Sequence, residues 1–429
     1  MNFIADFHLH SKYSRSTSKQ MDLENIYQYG KIKGIQVIGT GDFTHPAWFS
    51  ELKEKLEPCE NGLFALKPAI AKKINKKLPA IIRKQKLRFI LTAEISNIYS
   101  KAGQVRKMHN LIIAPDFKTV AKINTKLSSI GNLSSDGRPI LGLDSKKLLQ
   151  ITYQANQRAF FIPAHIWTPW FSMFGSKSGF DTIEQAFDQE TPKITAIETG
   201  LSSDPYMNWR LSQLKHISII SNSDAHSPLK LGREANLFNC PLDYDQIIQA
   251  LQTNDQRLVG TIEFFPQEGK YHYDGHRSCN ICFSSVQTKK HQGVCPVCQR
   301  PVVVGVDNRV NELADHPPTY QPKNHKKVEY IIPLLEIIAE LNQVKTIGKK
   351  VLEQYQNLYS NLGSEFAILR QVPIDQIKAA GFQTLAAGIE RLRLGKVSIQ
   401  PGYDGVYGII KVFANNKQLK SSTGQASLL

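Results

Sequence analysis

Histidine and acidic residues stand at the ends of short apolar segments along the first half of this chain. His8 and His10 end the first segment, Glu94 lies near the end of a later one, and Asp224 and His226 follow the last. Side chains alternate between the two faces of a strand, so a His-x-His pair at a strand end points both imidazoles the same way. In an α/β barrel the carboxyl ends of the strands meet at one rim, where chemistry is usually found. The pattern therefore predicts a multinuclear metal site at the rim of a barrel.

Apolar segments alternate with amphipathic ones up to about residue 265, an order that indicates an α/β fold with parallel strands. The predicted strands are 3–10, 37–43, 88–95, 110–114, 159–165, 196–199 and 218–223, and the clearest helices are 22–33, 117–130 and 243–253. Asp22 and Asp116 precede two of these helices, where an acidic side chain caps free backbone N–H groups. We predict a distorted, TIM-like barrel over residues 1–265.

Four more side chains at or near strand ends are candidate metal ligands: Asp42, His45, His109 and His165. A single buried histidine is most often a hydrogen-bonded core residue, but imidazoles and carboxylates that recur in this order favour a metal site. Mixed nitrogen and oxygen ligands suit Zn²⁺, Mn²⁺ or Fe²⁺, whereas Mg²⁺ prefers oxygen alone. Glu94 is a candidate to bridge two ions, so that one hydroxide is activated while a phosphate is held.

Four of the six cysteines form two close pairs, Cys279-x2-Cys282 and Cys295-x2-Cys298, with twelve residues between the pairs. This spacing is typical of a structural zinc site with four thiolate ligands rather than of disulfides. The surrounding segment, residues 266–325, is too short for a large core, so metal binding is expected to stabilise it. We predict a zinc-ribbon module that holds one structural zinc ion.

The chain is strongly basic, with 53 Lys and Arg residues against 37 Asp and Glu residues and a net charge of +16. Between residues 67 and 107 twelve basic residues accompany a single acid, Glu94. Such a segment favours a polyanion, most commonly nucleic acid, although a solvated basic helix is the simpler alternative. Beside a metal site that handles phosphate we favour DNA, with Lys84 and Arg88 as candidate contacts.

Sequence features also bear on the compartment. No segment reaches the roughly 18 consecutive apolar residues that a membrane span requires. The first residues lack the basic and apolar regions of a signal peptide. Paired cysteines in a reducing compartment bind metal rather than form disulfides. We therefore expect a cytoplasmic protein that associates with the nucleoid through DNA and has no membrane partner.

Residues 326–413 carry the apolar spacing of helices over 331–341, 351–362 and 382–394, followed by a glycine-rich, hairpin-like segment. We predict a C-terminal helical domain that binds DNA, and a flexible tail over 414–429. The tail ends in Gln425, Leu428 and Leu429, which resemble the short motif by which bacterial proteins bind the sliding clamp. A polar tail without a partner is the alternative.

Aromatic side chains follow the fifth predicted strand and include Trp167, Trp170 and Phe171. Aromatic residues usually pack in a core. On a loop at the mouth of a barrel they can instead stack on an extruded base or wedge into a duplex. Tyr99 and Ser203 also follow strand ends. These five residues are our candidates for contacts with the substrate.

This order of motifs resembles the polymerase-and-histidinol-phosphatase (PHP) family of metal-dependent phosphoesterases. The matching motifs are Asp6-Phe7-His8-Leu9-His10, Gly39-Thr40-Gly41-Asp42, Thr92-Ala93-Glu94-Ile95, His109, His165 and Ser223-Asp224-Ala225-His226. The resemblance implies two to three divalent ions (Zn, Mn, Mg or Fe). One ion would be held by His8, His10, Glu94 and Asp224, one by Glu94, His109 and His165, and a third by Asp42 and His226. The second motif departs from the family's usual Thr-Asp-His, which leaves open whether Asp42, His45 or both bind metal.

Nearly the whole chain also resembles the endonuclease Q family, a DNA-repair branch of the PHP group. The segments that carry this resemblance are Gly41-Asp42-Phe43-Thr44-His45-Pro46, His165-Ile166-Trp167-Thr168-Pro169-Trp170-Phe171 and Pro401-Gly402-Tyr403-Asp404-Gly405. It implies hydrolysis of DNA on the 5′ side of deaminated bases (uracil, hypoxanthine, xanthine) and of abasic sites, with His8, His10, Glu94 and Asp224 as the catalytic, metal-binding residues. The alternatives are a PHP phosphatase or exonuclease, and a non-catalytic DNA-binding scaffold.

Overall fold

The computed structural model describes residues 2–344 and 347–413, which form a mixed α/β structure. The largest sheet has eleven strands. The barrel region contains the following helices and strands in chain order: β1 Asn2–Asp6, α1 Leu23–Lys33, β2 Val37–Gly39, α2 Pro46–Lys55, β3 Leu56–Pro58, β4 Phe64–Leu66, α3 Pro68–Lys77, α4 Ala80–Arg83, β5 Arg88–Lys101, β6 Gln104–Ala114, α5 Phe117–Ser128, β7 Ile140–Leu141, α6 Ser145–Ala155, β8 Phe160–Pro163, α7 Ile183–Phe187, β9 Ala196–Glu198, α8 Pro205–Trp209, β10 Ser218–Ile220, β11 Ala235–Asn239, α9 Tyr244–Thr253 and β12 Leu258–Glu263.

The remaining elements follow in two groups. Around the cysteines lie β13 Asp274–His276, β14 Ile281–Phe283, α10 Ser285–Lys290 and α11 Val306–Leu313, and β15 Lys327–Tyr330 then joins β12 of the large sheet in parallel. The last group is α12 Leu334–Leu341, α13 Lys349–Leu362, α14 Glu365–Arg370, α15 Ile374–Ala379, α16 Gln383–Arg393, β16 Ser398–Gln400 and β17 Ile409–Lys411. Within the described ranges, no helix is both long enough and apolar enough to cross a membrane.

Seven strands bend into an irregular ring. β1 pairs in parallel with β2, and β2 with β5, while β6 and β8 continue the ring and β9 pairs with β10. Ile166 N donates to Glu198 O beside β9, and Leu9 pairs with Ala225 where β10 returns to β1. Asp6 accepts hydrogen bonds from Ser223 N at 3.1 Å and Gly232 N at 3.0 Å, which tie the two ends of the ring together. The distorted barrel is confirmed.

The sheet is mixed rather than made of parallel strands alone, because β5 and β6, among others, pair antiparallel and form one long hairpin. Their register runs from Leu91 opposite Ala114 to Lys101 opposite Gln104. Ala102 and Gly103 at the tip have φ values of 53° and 73°, as a two-residue turn between twisted strands requires. The basic stretch 67–107 is therefore divided among α3, α4 and this hairpin.

Alternate side chains of the ring belong to two apolar clusters, as strand geometry dictates. Ile90, Leu111 and Ile162 lie in one cluster inside the ring, and apolar residues of α9 complete this cluster. The neighbours of these residues in the sequence belong to the second cluster, which includes the outer helices. The face that carries Ile90 and Leu111 also carries Glu94 and His109 by two-residue alternation. The candidate ligands thus stand on the inward face, directly beyond a packed apolar layer.

The C-terminal helices pack against α1 and α4 of the barrel region. The helices predicted over 331–341, 351–362 and 382–394 are present as α12, α13 and α16. A buried ion pair joins Lys33 Nζ of α1 to Glu365 Oε2 of α14 at 2.7 Å, and Tyr355 Oη donates to the same carboxylate at 2.6 Å. The apolar core runs continuously from the outer barrel helices into this bundle.

Candidate metal centre

Three overlapping groups of possible ligands meet at the rim of the barrel. Within each group the ligand atoms lie within 4.8 Å of one another. The groups are His8, His10 and Glu94; His10, Asp224 and His226; and Glu94, His109 and His165. Glu94 and His10 are each shared by two groups. The structure therefore brings together seven of the residues expected from the sequence.

The carboxylate of Glu94 lies between two sets of imidazoles. Its Oε1 is 2.7 Å from His109 Nδ1 and 2.9 Å from His165 Nε2, and its Oε2 is 3.2 Å from His10 Nε2. Glu94 is buried and projects from β5, and His109 projects from the neighbouring strand β6. One carboxylate with an oxygen on each side has the geometry needed to bridge two cations.

Three buried atoms at the centre of these groups have no hydrogen-bond partner among the described residues. They are His8 Nε2, His10 Nε2 and Asp224 Oδ1. The distance from Asp224 Oδ1 to His10 Nε2 is 3.1 Å, and to His8 Nε2 it is 3.8 Å. Buried polar atoms are almost always paired, so three that converge without partners fit a divalent cation.

The backbone bends sharply where three of these side chains enter the site. Asp42, His165 and Asp224 have φ values of 49°, 29° and 45°, in the left-handed region that residues other than glycine seldom adopt. Such conformations cluster at functional sites, where surrounding contacts hold them in place. Here each follows the end of a strand and redirects a side chain towards the rim.

Two carboxylates orient the first pair of histidines from behind. His8 Nδ1 donates to Glu198 at 2.9 Å, and His10 Nδ1 donates to Asp42 Oδ1 at 3.0 Å. Each contact places the proton on Nδ1 and orients the ring so that Nε2 faces the site. This arrangement is common behind metal-binding histidines. Glu198 was not predicted as a site residue, although it lies near the end of a predicted strand. The motifs that carry the family resemblance include no carboxylate at that position.

The structure changes the expected role of the second motif. Asp42 lies outside all three groups, since Oδ1 binds His10 and Oδ2 accepts from Ser11 N at 2.6 Å and Ser14 Oγ at 3.0 Å. His45 is also outside them; it caps α2, and its ring stacks on Tyr13. Whether Asp42, His45 or both bind metal therefore stays a prediction, and in this structure both carboxylate oxygens of Asp42 accept hydrogen bonds from other groups.

The charges of the site suit a cation. Burial would raise the pKa of Glu94, but the nearby His109, Arg138 and His8 outweigh it and hold that pKa well below its usual range. Burial lowers the pKa of His109 to about 4, which leaves a neutral imidazole at neutral pH. His8 differs, because Glu198 and Glu94 overcome burial and raise its pKa. A cation entering here must therefore displace protons.

Arg138 was not predicted from the sequence. Its guanidinium lies 3.1 Å from Glu94 Oε2 and remains partly exposed at the rim. The preceding Gly137 lies so close to Asp42 that a Cβ there would be 2.3 Å from Oδ2. The close packing of Gly137 holds the backbone that carries Arg138 next to Asp42. The guanidinium of Arg138 therefore lies beside the candidate metal groups, where it could neutralise the charge of a phosphate.

The cysteine region forms a second candidate metal centre, with a ligand set that differs from the expected one. His276, Cys279, Cys295 and Cys298 have ligand atoms within 4.8 Å of one another, and Cys282 is not in the group. Cys282 lies in β14 opposite Gly275, one pair away from His276, which ends β13. The four-thiolate site stays a prediction, and the hairpin offers His276 in place of Cys282 as the fourth candidate ligand.

The candidate substrate contacts divide into two sets. Trp170 is 42% exposed and lies beside Tyr271, while Phe171 packs on His109 with ring centroids 4.7 Å apart. In contrast, Trp167 is buried and donates to Asn208 Oδ1, and Ser203 is buried and donates to Thr199 O. Of these four residues, Trp170 and Phe171 are accessible, whereas Trp167 and Ser203 lie in the interior. Their contacts with a substrate stay predictions.

Three further candidates lie away from the metal groups. Tyr99 is half-buried on the hairpin, with its hydroxyl 3.5 Å from Met108 Sδ. Arg88 is bound to Glu60 and begins β5, so it lies about 20 Å from Glu94 along the strand. Lys84 is exposed beyond α4. The three residues predicted for the tail, Gln425, Leu428 and Leu429, lie outside the described residues.

Comparison with protein sequences finds relatives without an established function. The family described as the MJ0043 C-terminal domain matches residues 333–396. Uncharacterized protein YqxK of Bacillus subtilis is 27% identical over 421 residues, which cover 95% of this chain and 98% of that protein. Uncharacterized protein MJ0043 of Methanocaldococcus jannaschii is 31% identical over 254 residues, which are 57% of this chain but only 31% of that protein.

Comparison with solved structures finds two matches along the entire chain. One is the lesion-specific endonuclease PfuEndoQ from Pyrococcus furiosus, with a TM-score of 0.82, 28% identity, and coverage of 98% of this chain and 99% of that one. The other is endonuclease Q in complex with a 27-mer duplex that carries an abasic lesion at the active site, with a TM-score of 0.83, 29% identity and full coverage of both chains. Over its whole length, the chain is therefore similar in structure to endonuclease Q, as its motifs predict.

Proposed function

We propose that this chain is a metal-dependent DNA-repair endonuclease. The observation that carries the proposal is the convergence of unpartnered ligand atoms of His8, His10 and Asp224 beneath Glu94. Similarity along the entire chain to an endonuclease solved with an abasic duplex supports DNA as the substrate. The basic charge of +16 supports binding to a polyanion.

Two to three divalent ions would be held by the three groups at the rim, with zinc, manganese, magnesium or iron as candidates. When bound, such ions supply Lewis acidity towards a phosphate and lower the pKa of a water molecule. Glu94 joins the two halves of the site, while Glu198 and Asp42 hold His8 and His10 in the productive tautomer. Arg138 offsets negative charge on the scissile phosphate at the open side. A structural zinc ion would be held by the cysteine region.

We propose cleavage on the 5′ side of uracil, hypoxanthine, xanthine and abasic nucleotides. A nucleotide whose base is damaged or missing is easier to extrude from the duplex than a paired nucleotide. A site that binds extruded nucleotides therefore selects lesions. Phe171 lies beside His109 and Trp170 beside Tyr271, where the two aromatic residues can contact an extruded nucleotide. His8, His10, Glu94 and Asp224 are the residues proposed to carry the reaction.

DNA is proposed to contact the barrel (1–265), the cysteine region (266–325) and the helical region (326–413) together. Most of this binding would be salt-sensitive contact with phosphates. A tail over 414–429 would bind a sliding clamp through Gln425, Leu428 and Leu429, which would keep the protein near the nucleoid. Removing these three residues should abolish clamp binding and leave cleavage of short duplexes unchanged.

The test uses a labelled duplex with one deoxyuridine, hypoxanthine or abasic site, and an undamaged duplex as the control. The protein is incubated with Mg²⁺, Mn²⁺ or Zn²⁺, and the products are sized on a denaturing gel. A single cut immediately 5′ of the lesion is expected, with none in an Asp224→Asn variant that still binds the duplex. Cleavage of undamaged ends alone, or turnover of small phosphoesters without cutting of DNA, would instead favour an exonuclease or a phosphatase. DNA binding without any cutting would favour a scaffold.

A further inference from the structure

We propose that a cavity at the opposite end of the barrel binds a nucleoside phosphate. The cavity measures about 650 Å³, within the usual range for small-ligand sites. It lies between the amino end of β10, the end of α9 and the segment that leads into β15. Its lining includes Trp209, Lys215, Asn254, Thr261 and Lys323. No acidic side chain is among the described residues that line it.

The cations of this cavity are available to an anion. Lys215 and Lys323 are exposed and form no ion pair within the described part of the chain. By contrast, Lys326 Nζ donates to Asp255 O at 2.6 Å, and Lys327 pairs with Glu329. Unpaired ammonium groups at the mouth of an acid-free cavity suit a phosphate, which accepts charge-assisted hydrogen bonds from them.

An aromatic ring stands beside these cations. The half-buried Trp209 makes T-shaped contacts with Tyr206 and His325, with ring centroids 4.9 Å and 5.5 Å apart. Aromatic side chains at a binding site are surfaces on which a nucleobase can stack. The combination of a ring with free ammonium groups matches a nucleotide better than inorganic phosphate.

A polar atom in the cavity lacks a partner, which points to a ligand. Asn254 lines the cavity, and its Oδ1 has no hydrogen-bond partner among the described residues, while its Nδ2 donates to Ile217 O at 3.5 Å. An amino group of a nucleoside would satisfy this oxygen. The hydroxyl of Thr261, which also lines the cavity, lies beside the buried carboxyl of Glu263 and lowers its pKa.

The cavity is separate from the metal groups. Ile217 and Ile219 line it at the start of β10, whereas Asp224 and His226 follow the end of that strand. The ligand would therefore be bound without being cleaved. Both a free mononucleotide and the phosphorylated end of a nucleic acid strand present this chemistry.

The test titrates the full-length protein, in buffer without added divalent ions, with deoxyadenosine monophosphate and with deoxyadenosine, by calorimetry and by tryptophan fluorescence. The monophosphate is expected to bind about tenfold more tightly than the nucleoside, as charge-assisted contacts to phosphate predict. A Lys215→Ala/Lys323→Ala variant should lose about tenfold in this affinity. The matched control is Lys118→Ala/Lys126→Ala, which removes two exposed lysines of α5.

A 5′-phosphorylated oligonucleotide distinguishes the two sources. Tighter binding than the monophosphate, lost in the Lys215→Ala/Lys323→Ala variant, would assign the cavity to a strand end; binding of the monophosphate alone would assign it to a free nucleotide. No saturable binding of either compound, or equal losses in both double variants, would overturn the proposal. Cleavage of lesion duplexes by the Lys215→Ala/Lys323→Ala variant should match the unmodified protein, so this test is independent of the proposed endonuclease activity.

Discussion

The two candidate metal centres differ in what holds their ligands in place. At the barrel rim, His8 and His10 are fully buried, and each is fixed by a carboxylate behind it. In the cysteine region only Cys295 of the four ligands is buried, and the local apolar cluster is centred on Phe283, Cys295 and Val302. The barrel therefore forms its site from its own packing, whereas the cysteine region has little core to position its ligands.

This difference distinguishes a metal ion that supplies chemistry from a metal ion that stabilises a fold. A site built into a large core can exist before the ion arrives, so losing the ion should remove chemistry but not the fold. A small module without a core gains much of its folding free energy from the ion. The following predictions test that contrast, from the largest expected effect to the smallest.

Replacing His10 tests the rim as a catalytic site. His10→Ala removes an atom shared by two of the ligand groups. Cleavage of lesion duplexes should fall by about 1,000-fold or more, because several kcal/mol of transition-state stabilisation depend on correctly held ions. Rates under single-turnover conditions measure this loss. Thermal unfolding monitored by circular dichroism should remain cooperative; collapse of the fold would contradict the view that packing holds the barrel together.

Replacing Cys295 tests the cysteine region as a structure that depends on metal. Cys295→Ser should lower zinc affinity by about 100-fold or more and expose residues 274–302 to protease, because structural zinc contributes folding free energy directly. Metal analysis of the purified protein and limited proteolysis measure the two effects. The matched control is Cys282→Ser, which should retain zinc because Cys282 lies outside the group. Equal zinc loss in the two variants would restore the four-thiolate site.

Replacing Glu198 separates orientation of a ligand from metal binding itself. Glu198→Gln removes the charge behind His8 but keeps the size of the side chain. Affinity for divalent ions at the rim should fall by about 10- to 100-fold, the usual effect of losing such a partner. Titration followed by calorimetry measures it. Glu184→Gln, on the exposed face of α7, is the control and should leave affinity unchanged.

Glu263 tests the stability of the barrel without reference to metal. Burial raises its pKa to about 8, so the folded protein retains a proton that the unfolded chain loses above its ordinary pKa near 4.5. The stability contributed by this proton is complete at low pH and is lost as the pH rises through 8. Glu263→Gln should therefore raise the melting temperature by about 2 °C or more at pH 9 relative to its effect at pH 5. The same shift at both pH values would contradict this account.

Much of the architecture follows from the sequence, because apolar alternation and ligand spacing are local signals. The candidate ligands His8, His10, Glu94 and Asp224 were predicted at or near strand ends, and barrel geometry explains why the structure brings them together. The antiparallel β5–β6 hairpin was missed, since residues 96–109 contain several basic and polar side chains that do not distinguish a strand from a loop.

Other features depend on contacts between distant parts of the chain. Arg138 reaches Glu94 from a loop 44 residues away, and Glu198 reaches His8 across 190 residues. Neither belongs to a motif with regular spacing. His276 could be found only once the β13–β14 hairpin set its register against Ile281. Asp42 was also predicted at the site, but its hydrogen bonds to His10, Ser11 and Ser14 are visible only in the folded structure.

The bonds from Asp6 to Ser223 and Gly232 have a consequence for biosynthesis. The two partners are separated by 217 and 226 residues, so the first strand leaves the ribosome long before the backbone that completes its surroundings. At ordinary elongation rates this delay is on the order of 10 to 40 seconds. His8 and His10 spend that interval without Asp224, so the candidate ligand groups of the rim are complete only after the last barrel strands have been translated. A cation that bound the rim through all three groups would therefore have to enter after the barrel had been synthesised.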